Sequence, residues 1–147
     1  MKKEQEDQEL KSEEVYLDSN LFIKSIISIT AEGEKAREVI SKIKNGEYNA
    51  HTSTLTLDEV MWVVQKFKDK ETAYEAGKTL MRATNINFIS VGIEIISKSL
   101  EIYKNTPLDP RDSIHLATMQ SKGIKTIISQ DSDYDKIKDI KRVDFSK

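Results

Sequence analysis

From Val15 onward, short apolar runs alternate with longer stretches whose apolar residues recur every three or four positions, the pattern of strands feeding helices. Val15-Tyr16-Leu17 reads as a short buried strand, and Asp18-Ser19-Asn20 offers cap residues to a helix carrying Leu21, Phe22, Ile23, Ile26 and Ile27. A second helix is expected over Glu34 to Lys44, stopped by Asn45-Gly46, and a strand over Tyr48 to Ser53. Leu55 to Lys68 is a helix with Val60, Val63, Val64 and Phe67 on one stripe, followed by a more charged helix over Glu71 to Thr84. After a brief extended piece at Asn87 to Ser90, Ile93, Ile96, Leu100 and Tyr103 fall on one face of a helix that ends before Thr106-Pro107. Asp109-Pro110 starts the next helix, with proline in its first turn, and Gly123 ends it. Lys125 to Ser129 is a β-branched strand, Gln130 to Asp135 an acidic loop, and Arg142-Val143 a last short strand. This alternation predicts a three-layer α/β fold, with a central, mostly parallel sheet of four or five strands and helices on both faces. Ligands in such sheets bind beyond the carboxyl ends of the strands, which points at Asp18 and Asp131.

Length and composition narrow the choice further. With 147 residues the chain makes one compact domain. Residues 1–14 are almost wholly polar and read as a solvated tail or extra helix, leaving 15–147 as the working domain. Charged residues at 33% beside 37% hydrophobic ones exclude wholesale disorder, and the absence of cysteine excludes disulfides, thiolate zinc sites and cysteine nucleophiles. The most apolar run, Leu21 to Ile29, is short and broken by Lys24, Ser25 and Ser28, so no membrane role is expected; without a secretory leader pattern, a cytoplasmic address follows. The net charge of −2 denies the protein a strong positive field, so any action on nucleic acid would need a metal ion or a local basic patch.

Four acids carry the candidate chemistry: Asp18 after the first strand, Glu59 within a helix, Asp112 in the first turn of another, and Asp131 after a late strand. Each has a structural reading. Asp18 suits a helix cap, Thr56-Leu57-Asp58-Glu59 spells a capping box, Asp112 suits the positive end of its helix, and Asp131 suits an Asx turn. Helical spacing nevertheless puts Glu59 at the edge of the Val60 stripe, and Asp112 on the same face as His115, Leu116 and Met119. Partly buried carboxylates are costly unless a positive group sits among them, and a hard divalent cation suits carboxylate oxygens.

The ordered blocks Val15-Tyr16-Leu17-Asp18-Ser19-Asn20, Thr52-Ser53 through Asp58-Glu59-Val60, Arg111-Asp112-Ser113-Ile114-His115-Leu116-Ala117 and Ile127-Ile128-Ser129-Gln130-Asp131-Ser132-Asp133-Tyr134 resemble the PIN-domain ribonucleases, most of all the VapC-type toxins. This resemblance implies a Mg2+- or Mn2+-dependent endoribonuclease with Asp18, Glu59, Asp112 and Asp131 around the metal. It makes Asp133 a further metal candidate, and Asn20 and Ser129 polar supports of the site. It also implies an RNA substrate, a homodimer and, for a toxin, a small antitoxin partner. Two features depart from the family pattern: the charged segment ahead of the first strand, and Ser113 where small apolar residues are common.

Other residues carry less. His115, one turn from Asp112, is expected to support the site through hydrogen bonds, and His51 has no evident partner. Met61 and Trp62 fall off the main stripe of their helix and suit either a subunit interface or packing under a neighbouring helix. A haloacid-dehalogenase-type phosphatase would need a second Asp where Asn20 stands, and a phospho-receiver would need an early acid pair that is missing. A catalytically silent RNA- or protein-binding scaffold and an RNA-processing nuclease without antitoxin remain the alternatives.

Overall fold

In the computed structural model, residues 12–147 are described. The elements run β1 (Glu13–Leu17), α1 (Ser19–Ile27), α2 (Ala31–Lys44), β2 (Tyr48–Ser53), α3 (Thr54–Phe67), α4 (Lys70–Met81), β3 (Ile86–Ile89), α5 (Ile93–Asn105), α6 (Pro110–Ser121), β4 (Thr126–Ile128), a 3₁₀ helix (Ser132–Lys136) and β5 (Lys141–Val143). Of the expected polar segment at 1–14, residues 1–11 lie outside the described part. Glu13 and Glu14 belong to β1, where they pair with Tyr48 and Asn49 of β2. Backbone pairing extends the strand past its apolar residues.

The five strands form one sheet in the order β3-β2-β1-β4-β5, and every neighbouring pair is parallel. The chain lays β2 and β3 to one side of β1 and then returns to lay β4 and β5 on the other. The point where this direction reverses is the β1/β4 seam, the position beyond whose strand ends parallel sheets place their ligand crevice. One bond fastens the seam, Asp18 N–H donating to the Ile128 carbonyl at 3.1 Å, and beside it Ser129 N–H ties the end of β4 to β5 through the Val143 carbonyl at 3.0 Å.

Side-chain alternation along β1 divides the interior. Val15 and Leu17 join Leu21, Phe22, Ala36, Ile43, Val60, Val64 and Leu80 under α1–α4. Tyr16 points the other way, into Leu108, Leu116, Met119, Ile127 and Tyr134, with Ile95 and Ile102 of α5 packed alongside. The three-layer α/β expectation holds, with five strands and uniformly parallel pairing. Among the described residues no helix is long and apolar enough to cross a membrane.

Local chemistry explains several boundaries. Asp109 caps α6 by accepting from Asp112 N–H at 2.9 Å, with Pro110 following in the first turn, so Asp112 itself is released from capping. The capping box at Thr56 does not form. Helix α3 begins two residues earlier, with Ser53 at the cap position and no side-chain cap bond, while the Thr56 hydroxyl meets Thr52 Oγ1 at 2.7 Å. The α5 stripe lies on the outer face: Ile93 is 81% exposed and Leu100 66%, because Ile95, Ser99 and Ile102 take the inward face against α6. His51, expected to lack a partner, sits on β2 with Nε2 in no hydrogen bond, 3.6 Å from the Glu14 carboxylate.

Candidate active site

Four separate elements deliver the four acids to the crevice. Asp18 ends β1 and caps α1, its Oδ1 accepting from Ser19 N–H at 2.8 Å. The bland reading of Asp18 is therefore true, and incomplete. Its other oxygen accepts from the Ser129 hydroxyl at 2.6 Å and from Asn20 Nδ2 at 3.4 Å. Asn20 also reaches Ser129 Oγ at 3.2 Å, so these two residues brace Asp18 across the β1/β4 seam. Burial drives the Asp18 pKa up, against the pull of His115 and the Ser129 hydroxyl.

Glu59 comes from α3 and His115 from α6, on opposite faces of the sheet. His115 Nε2 hydrogen-bonds Glu59 Oε1 and stands 4.0 Å from Asp18 Oδ1. Its Nδ1 meets the Tyr16 hydroxyl at 2.6 Å. Burial alone would lower the His115 pKa, but the Glu59 hydrogen bond and the Asp18 charge outweigh it and leave the imidazole above its ordinary value. The positive group demanded by clustered carboxylates is supplied in part by this ring.

Asp112 projects from the first turn of α6. Its Oδ1 accepts from the buried Tyr134 hydroxyl at 3.1 Å. Burial, the adjoining Asp131 carboxyl and the negative charge of Asp18 together push its pKa up to about 8. Asp131 forms the anticipated Asx turn, accepting from Asp133 N–H at 2.9 Å, while its own N–H donates to Ser129 Oγ at 3.0 Å. Arg142 of β5 secures this corner from behind, donating to the Ser129 carbonyl at 3.1 Å and gripping Asp135 through two bonds of 2.9 and 2.8 Å.

The structure thus gathers Asp18, Glu59, Asp112, Asp131, Asn20, Ser129 and His115 in one place. Asp133 is set apart, its carboxylate taking Lys136 at 3.2 Å on the exposed flank of the turn. Tyr16 and Tyr134 escaped the sequence reading. For Tyr16 the available signal was a tyrosine in an otherwise apolar buried strand, since a buried phenol needs a hydrogen-bond partner; Tyr134, within Ser132-Asp133-Tyr134-Asp135-Lys136, carried no such signal.

Among the described residues no three His, Asp or Glu side chains stand at ligating spacing around a common point. The donor chemistry nevertheless fits a hard dication. Carboxylate oxygens dominate the site, one carboxyl is pushed far above its usual range by its neighbours, and Asn20 Oδ1 is buried beside Asp18 with no partner, an acceptor suited to a water.

Residues 15–140 match the family described as the PIN domain. The chain belongs to the PIN domain family. No curated protein matches it in sequence. Solved structures similar to this PIN domain include VapC20 of Mycobacterium tuberculosis, a sarcin-ricin loop cleaving toxin. The two are 15% identical with a TM-score of 0.71, and the match covers 82% of this chain and 92% of that one. DNA-bound VapBC from Salmonella typhimurium is 18% identical with a TM-score of 0.69, over 90% and 98% of the two chains. A toxin-antitoxin complex from Klebsiella pneumoniae is 21% identical with a TM-score of 0.63, over 89% and 97%. At these identities the likeness is one of fold.

Proposed function

We propose that this PIN domain is a Mg2+- or Mn2+-dependent endoribonuclease that hydrolyses RNA phosphodiester bonds. In this reading it works in the cytoplasm as the toxin of a VapBC-type pair, under the control of a small antitoxin. The observation that carries the reading is that Asp18, Glu59, Asp112 and Asp131, from four separate elements, all border the sheet's switch point, linked to one another through Ser129, His115 and the Asp112–Asp131 carboxyl contact. Those four side chains would hold the ion, and Asp133 stands outside their cluster. A bound dication would acidify a water and offset the negative charge that develops on the phosphate.

The remaining work falls to the chain's own groups. Ser129 and Asn20 fix Asp18, Tyr134 fixes Asp112, and the Asp131 turn is closed by Asp133 N–H. Such bracing keeps the acids from relaxing away from one another, which is what preorganisation requires. Asn20 Oδ1 offers an acceptor for a proton on the attacking water. The chain has no cysteine, and the Ser129 hydroxyl, although it donates to Asp18, is fully buried and also holds Asp131 N–H, so it braces the acids and direct hydrolysis is the reaction that these groups serve.

The outer faces of α5 and α3, with Ile93, Leu100, Tyr103 and Trp62 exposed, support a homodimer. The deciding experiment incubates purified protein and its Asp18→Asn variant with RNA, in Mn2+ or in chelator. Cleavage by the parent in Mn2+ alone, absent in the variant, is expected. A parent that leaves total cellular RNA intact in Mn2+ overturns the nuclease reading.

A further inference from the structure

Glu59 differs from the other three acids in how it is held. Asp18, Asp112 and Asp131 are short and accept from hydroxyls or backbone N–H groups close to them. Glu59 is a longer side chain on a helix across the sheet, and its free rotation would cost roughly 1.5–2 kcal/mol to freeze. The group that meets it is His115, with no exposed side-chain surface, 56 residues away in sequence. Behind His115 lies Tyr16, also fully buried, whose hydroxyl closes on Nδ1 at 2.6 Å with the two rings edge to face, 5.6 Å between centroids.

We propose that Tyr16 and His115 are a buried positioning pair: Tyr16 fixes the imidazole, and the imidazole holds the Glu59 carboxylate at the acid cluster. A carboxylate only accepts, so Nε2 must carry the proton facing Glu59. Tyr16 secures that arrangement in either charge state of the ring. With a neutral ring, the phenol donates to Nδ1. With a charged ring, Nδ1–H donates to the phenol oxygen, whose own proton then turns away from the ring, toward Ser53 Oγ, a buried hydroxyl oxygen that is itself without a hydrogen-bond partner. One Glu59 oxygen is tied to the ring, and the partly exposed end of the side chain faces the crevice. The pair acts through Glu59 and touches no reacting atom.

This inference rests on the proposed metal-dependent reading of the site, and its test separates the two. Tyr16→Phe, Glu59→Gln and the double variant are compared by Mn2+ titration calorimetry, by RNA cleavage, and by the ring nitrogen resonances of His115 in chelator. Outer-shell partners of metal ligands typically change affinity by 10-fold or more. Tyr16→Phe is therefore expected to weaken Mn2+ binding about 10-fold and to lower kcat while leaving the KM for RNA in place. The loss should vanish when Glu59 is already Gln, because the tyrosine then has no carboxylate to position. A purely structural tyrosine would lower the melting temperature and act additively. Unchanged Mn2+ affinity in Tyr16→Phe, or an equal effect with and without Glu59, overturns the positioning pair. The metal-free resonances must shift in both single variants; if they do not, the pair is equally overturned. A parent that binds no Mn2+ and cuts no RNA removes the nuclease reading, while those resonances still decide whether His115 holds Glu59.

Discussion

Asp112 shows how one residue's surroundings become a measurable property. Its carboxyl is raised from an ordinary 3.8 to about 8, so folding favours the protonated form. That contribution is complete below about pH 4 and disappears as the pH climbs through about 8. Asp18, raised by burial, acts in the same direction. In chelator, the parent should therefore lose melting temperature across this window. Asp112→Asn keeps the shape and removes the charge, so it should melt at or above the parent, with the gap widening from about pH 5 to about pH 8, while its metal-dependent cleavage disappears. A variant that melts well below the parent would show Asp112 to be a structural acid. Ion uptake should also release a proton from Asp112 near neutral pH, and calorimetry in two buffers of different ionisation enthalpy would register it. Ser129 makes a second case. Its hydroxyl donates to buried Asp18 and accepts from Asp131 N–H, and Ser129→Ala should cost about 1–3 kcal/mol in chemical denaturation.

At the level of the elements, close approach and exposed faces make different demands. A Cβ on Gly33 would stand 2.3 Å from the Ser28 carbonyl oxygen at the turn joining α1 to α2. Gly33→Ala should destabilise by about 1–3 kcal/mol, read from the denaturation midpoint, because backbone rather than a pliable side chain is in the way. Leu100→Lys on the open face of α5 should shift folding stability by no more than about 0.5 kcal/mol yet reduce self-association in sedimentation; a parent that already sediments near 16.8 kDa would remove the homodimer. Most elements were legible from periodicity, and β2 runs over Tyr48–Ser53 as read. The misses have physical causes. Hydropathy did not detect Glu13 and Glu14 as strand because parallel pairing is a backbone matter. The four residues of the α5 stripe pointed to a face but did not say which side of the helix the sheet would claim; Ile95 and Ile102 win that place. The Thr56 capping box was a chance spelling, overridden by the direct passage from β2 into α3. The four acids were visible as acids after strands, at a helix start and within a helix, and His115 as a supporting histidine, whereas Tyr16 was hidden, since it meets His115 across 99 residues.

Across the whole molecule, charge, topology and activity become one question. An acidic protein of net charge −2 has little long-range attraction for RNA, so its substrate affinity should depend on the occupied acid cluster far more than on bulk charge. Saturating Mn2+ at about 100 times its dissociation constant should stabilise the fold by about 2.7 kcal/mol, seen as a higher melting temperature that chelator reverses; an identical melting curve with and without the ion would argue against a shared site. The fold draws its acids from both flanks of the chain. Asp18 follows β1, and the Asp131 corner is tied down by Arg142 of β5 through Ser129 and Asp135. During synthesis, then, a ribosome exposes Asp18, Glu59 and Asp112 long before it releases the residue that locks the final corner. Nascent chains stalled short of Lys141 should be inert toward RNA, and those extended past Lys147 by a flexible spacer should cut. On the proposed nuclease reading, activity would appear only once Arg142 has emerged from that machine.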